Sequence, residues 1–429
     1  MFGFANFLLL ALFAAAVFDL IFALARGGGP RGALHGLWKT PHLLFGQQLA
    51  EWRLQLGRIL FAAGLAAYEI SVVFCNSMAR QNWAWVQGVM SPVLEWLAFL
   101  CFGAKILFGT RYTWRELLAG GALYFIARWV YFNSQNIWWI GIVVAVLAAK
   151  DVPLRRPLQV YFASGCAAMA VVLALHFAGI VAPDLTSERM GALRGTYGYG
   201  HPNTFGGLVF GLVLAYALLR AQKVRWVDCL LVFAVGVFLL VGPASRSAAL
   251  CTLALAVGLV FCRLRAGHSV PRWWPGTCAG MVGLTAAVSY LLPLLVIKVG
   301  PWNNDIGPAW LAKLDSLLTC RISLTWMAYR LLDVKIAGQV FNWPTVDNSF
   351  AFALFQFGPV VAALLGILFA AALWGHAKQG RQVEVCCLFA MLAYAYMEVQ
   401  PFHLTTNPTA LLLCGAVFAQ TSARWQKIE

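Results

Sequence analysis

The sequence predicts an all-α protein that crosses a membrane many times and forms a single integral membrane domain over residues 1–429. Hydrophobic residues make up 61% of the chain and charged residues only 11%, whereas a soluble domain carries about 25% charged residues. Apolar runs of roughly 18 residues or more recur from end to end, and runs of this length are typical of membrane-spanning helices. The connections between them are too short for an independent soluble domain.

The apolar runs predict about thirteen spanning helices. The first run ends in the sequence ALA at residues 23–25, which resembles a signal-peptidase site. Because no basic residue precedes this run and Arg26 and Arg31 follow it, the sequence favours a retained helix over a cleaved leader. The predicted spans are 2–25, 59–77, 84–108, 116–132, 136–149, 158–182, 203–220, 227–242, 246–262, 275–297, 347–374, 383–398 and 402–420.

The net charge of +15 reflects membrane topology rather than a nucleic-acid partner. Twenty-one of the 31 basic residues fall in alternate short loops, and an excess of Lys and Arg marks the cytoplasmic side. The amino terminus is therefore expected outside and the carboxyl terminus inside. These residues are Arg26, Arg31, Lys39, Arg53, Arg58, Lys105, Arg111, Arg115, Lys150, Arg155, Arg156, Arg220, Lys223, Arg225, Arg263, Arg265, Arg272, Lys378, Arg381, Arg424 and Lys427.

The other ten basic residues lie outside or at the outer ends of helices, where topology gives no reason for them. Several stand beside glycines, prolines, carboxylates and histidines, so four outer segments are predicted to carry the function: 183–203, 242–247, 299–346 and 398–403. Nearly all of the eleven cysteines lie within apolar runs without CxxC or metal-type spacing, so we interpret them as packing residues. The ten basic residues are Arg80, Arg128, Arg189, Arg194, Arg246, Lys298, Lys313, Arg321, Arg330 and Lys335.

The first outer motif, RGTYGYGHPN, begins at Arg194 and opens a predicted helix. Its glycines permit close approach of the backbone to a ligand, and Pro202 suits the first turn of a helix whose positive end would face an anion. His201, Tyr197 and Tyr199 supply donors and aromatic faces that suit sugars. The same residues fit a re-entry turn with a histidine cap and interfacial tyrosines, and composition alone does not decide between the two.

The other outer segments carry charges at helix ends. Arg246 stands at a helix start, where its positive charge is unfavourable in the field of the helix dipole unless an anion or a carboxylate compensates it. Alternatively, its side chain extends toward the lipid headgroups. Asp347 and Asn348 stand where the long loop that contains Arg321 becomes a helix. Without any function, Asn348 or Ser349 would be a plain N-cap and Asp347 would favour the dipole at the helix start. Glu398 ends an apolar run, where a carboxylate is costly unless it is paired or solvated.

Arginines without an Asp-x-Asp, Walker or metal-ligand motif suit a diphosphate that is bound bidentately. A nearby carboxylate or histidine suits a general base. The sequence therefore predicts a site for an anionic substrate on the outer face, with no metal.

With these residues in view, the chain resembles the Wzy-type polymerases of capsule, exopolysaccharide and O-antigen, within the O-antigen ligase/polymerase superfamily. The likeness spans about 190–407 within a motif-bearing part at 183–407, while residues 1–180 match only in hydropathy. Four segments carry the likeness. GYGHPN at 198–203 resembles GFGHPN of Gram-positive polymerases, and GPASRS at 242–247 resembles the superfamily's Ser-Arg motif. LLTCRI at 317–322 is similar to the LLSGR stretch of the Gram-positive polymerases, and VDNSF at 346–350 is similar to their VDNxY.

The resemblance implies a GT-C-like helical bundle in the bacterial plasma membrane that joins oligosaccharide repeat units at the extracytoplasmic face. The donor and the acceptor would be linked to undecaprenyl diphosphate, and the reaction would need no cofactor and no metal. A flippase and a chain-length regulator would be the protein partners, beside the membrane lipids themselves.

The resemblance also implies roles for individual residues. Arg246 and Arg321, and less directly Arg194, would hold the departing diphosphate. Ligases of the superfamily commonly place a histidine where this chain has Asp347, so the base is Asp347 or, alternatively, His201. The residues expected to contact substrate are Tyr197, Tyr199, Asn203, Asn348, Glu398 and His403.

Two other functions fit the sequence less well. A ligase would move a finished glycan to a different acceptor, but Asp347 and the GHPN segment favour a polymerase. A lipid-linked glycan transporter would need charged residues along a path through the membrane, where only Glu69 and Glu95 are candidates.

Overall fold

The computed structural model describes residues 42–43, 50–181, 187–189, 192–296 and 307–418. Across these residues the chain is mainly α-helical, and the predicted class, an all-helical polytopic membrane protein, is confirmed. Within the described part, seven helices are long and apolar enough to cross a membrane: Glu51–Cys75, Val86–Phe108, Arg155–Phe177, Pro202–Arg220, Arg246–Leu264, Trp274–Leu295 and Pro359–Lys378.

The described residues up to 181 form six α-helices and one pair of short strands. Strands β1 and β2 pair antiparallel, with His42 opposite Tyr112, and a π-helical turn, Val86–Met90, leads into α3. The elements are β1 (His42–Leu43), α1 (Ala50–Cys75), α2 (Ala79–Asn82), α3 (Ser91–Phe108), β2 (Arg111–Tyr112), α4 (Trp114–Ser134), α5 (Ile137–Ala148) and α6 (Arg155–Phe177).

From residue 187 onward, the described residues begin with an antiparallel hairpin of β3 and β4 and continue with ten α-helices. Short 3₁₀ segments follow α10 (Leu292–Leu295) and α15 (Gln400–Phe402 and Pro408–Leu413), and a π-helical turn (Ala353–Phe357) follows α13. The elements are β3 (Ser187–Arg189), β4 (Ala192–Arg194), α7 (Pro202–Arg220), α8 (Trp226–Val241), α9 (Arg246–Leu264), α10 (Trp274–Leu291), α11 (Ala309–Leu317), α12 (Arg321–Leu331), α13 (Ser349–Phe352), α14 (Pro359–Lys378), α15 (Gln382–Met397) and α16 (Cys414–Val417).

Ten of the predicted spans coincide with described helices, and the predicted span 2–25 lies outside the described residues. Three of the ten are shorter than a typical span: α5 has 12 residues, and α8 and α15 have 16 each. At 1.5 Å per residue, α5 is about 18 Å long, less than the roughly 30 Å of a bilayer core.

Two predicted spans are wrong in detail. The span 347–374 is broken at Gly358, whose φ of 89° lies in the left-handed region, and α14 begins only at the following proline. A Cβ atom at Gly358 would overlap the carbonyl oxygen of Ile336, so an outer segment approaches the break too closely for any other residue. The span 402–420 starts with irregular and 3₁₀ structure, since Asn407 and Pro408 begin a new 3₁₀ segment.

Helix α7 lies at the centre of the bundle. Thirteen of its 19 residues are buried, and its first half contacts the polar segments that follow α15. Gly207 has no room for a Cβ atom because the side-chain oxygen of Gln400 occupies that position. A Cβ atom at Gly206 would likewise overlap the side chain of Ser245. These glycines bring the start of α7 against the loops that build the site.

Alternate helix ends meet at opposite ends of the bundle. At one end, here called the basic end, Arg53 Nε donates to the Phe108 carbonyl at 3.0 Å, and Lys150 pairs with Glu116 at 3.3 Å. At the other, here called the site end, Gln356 Nε2 donates to the Ser134 carbonyl at 2.9 Å. The structure therefore joins the loops that the charge count assigned to one side.

Candidate functional site

The centre of the site end is the carboxylate of Glu398. This residue follows the last turn of α15 in extended conformation, and only 5% of it is exposed. Its Oε1 atom accepts hydrogen bonds from Arg321 Nη2 at 2.6 Å, Ser247 Oγ at 2.8 Å and Asn203 Nδ2 at 3.0 Å. One oxygen thus joins the starts of α7, α9 and α12 to the end of α15.

The environment of Glu398 changes its acidity. Burial raises the pKa of the Glu398 carboxyl above its ordinary value, and the Asp347 carboxylate adds to the rise. Arg321 and the Ser247 hydroxyl oppose it, because they stabilise the charged form. Within the described residues, Oε2 of Glu398 accepts no hydrogen bond, so this oxygen can still take a donor.

Arg321 is bound mainly by the protein itself. Its Nε donates to the carbonyl of Met397, its Nη1 to the carbonyl of Leu318 at 2.9 Å, and its Nη2 to Glu398. The residue is 7% exposed. Since these contacts use most of its five donors, the guanidinium is placed first of all to neutralise and orient Glu398.

Asp315 holds the start of α12, the helix that begins with Arg321. Asp315 is fully buried, and its Oδ1 accepts from the backbone N–H groups of Ile322 at 2.7 Å and Ser323 at 3.2 Å. The Ser323 hydroxyl donates to Oδ2 at 2.8 Å. The carboxylate satisfies amides that the first turn leaves open and so fixes the direction in which Arg321 enters the site.

Arg194 reaches the same network through Asn203. Its Nη2 donates to Asn203 Oδ1 at 3.0 Å and to the Ala244 carbonyl at 3.1 Å. The Asn203 amide therefore accepts from Arg194 and donates to Glu398. The structure brings Arg194, Asn203, Arg321 and Glu398, all candidates from the sequence, into one hydrogen-bonded chain.

Three residues in this network lie in the predicted outer segments or motifs but received no role in the site from the sequence: Ser247, Ser349 and Gln400. The Ser349 hydroxyl donates to the backbone carbonyl of Glu398 at 2.5 Å, and Gln400 Nε2 donates to the Asn203 carbonyl at 3.2 Å. Each stands within three residues of a candidate, but serine and glutamine are too common to single out. Gly207 is the one sequence feature that is related to Gln400, because the absence of a side chain at Gly207 leaves room for the Gln400 side chain.

Asn348 and Asp347 have different roles. Asn348 Oδ1 accepts from the backbone N–H groups of Phe350 at 2.9 Å and Ala351 at 3.1 Å, and its Nδ2 donates to Ser289 Oγ at 3.1 Å. Asn348 is therefore the cap of α13. Asp347 does not serve as this cap, is half-buried and lies close enough to Glu398 to affect its pKa.

The GYGHPN segment supplies a cap and packing residues. His201 is exposed, and its Nδ1 accepts from the Asn203 backbone N–H at 3.1 Å as the N-cap of α7. Tyr197 stacks on Phe205 with ring centroids 4.9 Å apart, and Tyr199 is fully buried beside the same ring at 5.7 Å. His201 is therefore the helix cap that the re-entry-turn interpretation expects, whereas the two tyrosines pack against Phe205 instead of lying as interfacial anchors. As sugar contacts they stay a prediction.

Two further candidates lie beside the network. Arg246 is the exposed first residue of α9, and its N-cap, Ser245, makes no side-chain cap hydrogen bond. His403 packs against Trp138 with ring centroids 3.7 Å apart. Among the residues described, no group of three or more His, Cys, Asp or Glu side chains could hold a metal ion.

Comparison of the chain with protein-family models, with curated proteins and with solved structures finds no match.

Proposed function

We propose that the chain is a glycosyltransferase that polymerises undecaprenyl-diphosphate-linked oligosaccharide repeat units at the extracytoplasmic face of the bacterial plasma membrane, on a GT-C-like bundle. One observation carries the proposal: three separate segments converge on the buried Glu398, beside the half-buried Asp347 and the exposed Arg246. Buried ionisable groups at one end of a helical membrane bundle are costly and typically mark function.

In this proposal the diphosphate binds at the start of α9. Arg246 is exposed there, and the end of a helix without a side-chain cap offers amide donors and a positive dipole to an anion. Arg194 and Arg321 add positive charge, and both guanidiniums also donate to protein carbonyl oxygens. Direct contact of these two arginines with the diphosphate stays a prediction, and their main role here is to position Asn203 and Glu398.

The transfer step needs a base and a departing anion. A hydroxyl oxygen of the acceptor sugar forms a bond to the anomeric carbon of the donor as the bond from that carbon to the diphosphate oxygen breaks. The diphosphate leaves with the electron pair, and the hydroxyl proton passes to Asp347. We prefer Asp347 to His201 because the Nδ1 atom of His201 is occupied as a helix cap; His201 stays the alternative.

An apolar cleft beside the site supports a lipid-linked substrate. Its walls are mainly aliphatic and aromatic residues of α5, α10, α14 and α15, and its lining includes the polar residues Ser349 and Asn407. Ser349 also donates to Glu398, so the cleft reaches the catalytic region. Such a cleft suits an isoprenoid chain whose diphosphate lies at the site end.

Two alternatives share parts of this structure. Transfer of a glycan to a different acceptor, as in a ligase, would use the same residues. Transport without chemistry would need an open charged path, but Glu69, 2% exposed, is enclosed: a Cβ atom added at Gly165 of α6 would lie 2.9 Å from its Oε1.

A single-turnover assay tests the proposal. Purified protein mixed with lipid-linked repeat units should give a longer lipid-linked glycan and free undecaprenyl diphosphate in equal amounts. Removal of one preorganised charge donor typically lowers the rate about 10²–10³-fold, and we expect this of Arg246→Gln. Arg80→Gln is the matched control, since Arg80 is an exposed arginine at the same end and outside the network.

Three results would contradict it. Folded protein that yields no product from repeat units would exclude polymerisation, and product formed only with another acceptor would identify a ligase. Equal rates for Arg246→Gln and Arg80→Gln would remove the diphosphate from the start of α9.

A further inference from the structure

At the basic end of the bundle, four helix ends surround a second cleft. Helix α6 begins there at Arg155, α7 ends at Arg220, α14 contributes His376, and α15 begins after Arg381. Helix α7 runs from the site end to this cleft, and its 19 residues span about 28 Å. The cleft is therefore separate from the Glu398 site.

The lining of this cleft carries excess positive charge. Four of its side chains are cationic, and Glu384 is the one carboxylate among its lining residues. Arg220 is neutralised by Asp228, to which its Nε donates at 3.2 Å from each oxygen. Within the described part of the chain, the other three cations, Arg155, Lys223 and Arg381, form no ion pair.

The two helices that begin at the cleft lack side-chain caps. The N-cap of α6 is Leu154 and that of α15 is Arg381, and neither side chain bonds the first turn. By contrast, α4 has a capping box with Thr113, and α5 is capped by Asn136. Helix ends without caps leave N–H donors and the positive ends of two dipoles available to an anion.

A buried polar atom lies beside the cleft. His376 is one of the lining residues, and its Nδ1 atom is buried with no hydrogen-bond partner. Buried nitrogens of this kind are rare and normally have a partner.

We infer that this cleft binds a phosphate-bearing anion. The cations and the helix ends supply the charge and the donors, while Leu158, Leu218 and Leu412 add apolar lining to the cleft. The anion has two possible sources, the headgroup of an anionic phospholipid in the adjoining leaflet or a soluble phosphate ester. The general excess of basic residues on one side of a membrane protein explains why the charges at this end are positive. It does not explain why three cations without an ion pair converge on one cleft.

The test uses the full chain in nanodiscs of phosphatidylcholine, which has no net charge. In one arm phosphatidylglycerol is added to the bilayer, and native mass spectrometry counts the retained lipid. In the other arm, glycerol phosphate is added in solution, and its binding is measured by the shift in unfolding temperature. Neither readout depends on glycan transfer, so failure of the proposed function would leave this test unaffected.

The triple variant Arg155→Gln/Lys223→Gln/Arg381→Gln should weaken binding at least about tenfold, since each charge-assisted hydrogen bond contributes roughly that factor. Lys223→Gln alone changes one exposed loop residue and should weaken binding in the same direction if the triple variant does not fold. Arg156→Gln is the matched control, because Arg156 is exposed on the same turn of α6 but does not line the cleft.

The two arms of the test distinguish the two sources of the anion. Loss of phosphatidylglycerol in the variants alone identifies a lipid headgroup site, and loss of the glycerol phosphate shift identifies a soluble ligand. No binding in either arm, or an equal loss in Arg156→Gln, would overturn the inference.

Discussion

A buried carboxylate in a membrane protein costs free energy unless donors and cations compensate its charge. Glu398 has that compensation in Arg321, Ser247 and Asn203, all bound to a single oxygen. The compensation is mutual, since Arg321 is equally buried and would otherwise be an unpaired cation. The pair can therefore be tested by charge removal from either side.

The first residue-scale prediction concerns stability. Glu398→Gln or Arg321→Met should each lower the free energy of unfolding by about 3–5 kcal/mol, because each leaves the partner charge buried and unpaired. The double variant should recover part of that loss. Thermal unfolding in one detergent measures all three, with Glu51→Gln as the control, since the Glu51 side chain is 84% exposed and its ion pair with Arg111 should contribute little. A double variant that loses as much as the sum of the single variants would show that the two side chains are not coupled.

The second residue-scale prediction separates a base from a cap. Because Asn348 already caps α13, Asp347→Asn should leave the fold intact while it removes the basic group. As the base, Asp347 contributes typically 10²–10⁴-fold to the rate, so Asp347→Asn should lower single-turnover transfer by that factor with unchanged binding of lipid-linked substrate. Near-normal transfer by Asp347→Asn together with an inactive His201→Ala would assign the base to His201.

The sequence identified individual site residues better than it identified their partners. Arginines, carboxylates and amides in outer segments were visible because topology did not require them there. Their pairing was not, since Asn203 and Glu398 are 195 residues apart in the chain. Asp315 was missed for the same reason: it caps α12 from the helix before it, without the usual spacing of an N-cap residue.

At the scale of elements, hydropathy located the helices but not their interruptions. Runs such as 203–220 and 246–262 coincide with α7 and α9 within two residues, because burial in lipid imposes length and apolar composition together. The break at Gly358 depends instead on a distant segment at 335–339 that packs against it, with Gln339 N donating to the Gln356 carbonyl at 3.3 Å. Hydropathy and composition do not show that the segment at 335–339 packs against Gly358.

A prediction at this scale follows for Gly358. Gly358→Ala should destabilise the protein by about 1–3 kcal/mol or more, because the residue has φ of 89° and a Cβ atom there would overlap the Ile336 carbonyl. Gly366→Ala, in the interior of α14 with no atom near the added Cβ, should instead be neutral or slightly stabilising. Unfolding temperatures of the two variants test this, and equal behaviour would mean that the break is not fixed by this contact.

At the scale of the whole molecule, the bundle has two chemically different ends. The site end carries buried, mutually bonded charges around Glu398, and the basic end carries Arg155, Arg220 and Lys223 around a cleft. The alternation of basic loops predicted which loops share an end of the bundle. Successive spanning helices run in opposite directions, so alternate loops lie at the same end. Which end faces the cytoplasm is a separate question, and the positive-inside tendency assigns it to the basic end.

That assignment gives the last prediction, tested by cysteine labelling in intact cells. Cys320 is the one exposed residue among the eleven cysteines and lies directly before Arg321, so a membrane-impermeant maleimide should label it without permeabilisation. In a Cys320→Ser background, Gly200→Cys should label equally, whereas Arg155→Cys and Arg265→Cys should label only after permeabilisation. All three positions are exposed, so a difference between them reports the side of the membrane rather than burial. Labelling of 155 and 265 from outside, with protection of 200 and 320, would place the Glu398 site in the cytoplasm, where a polymerase of extracytoplasmic glycans has no substrate.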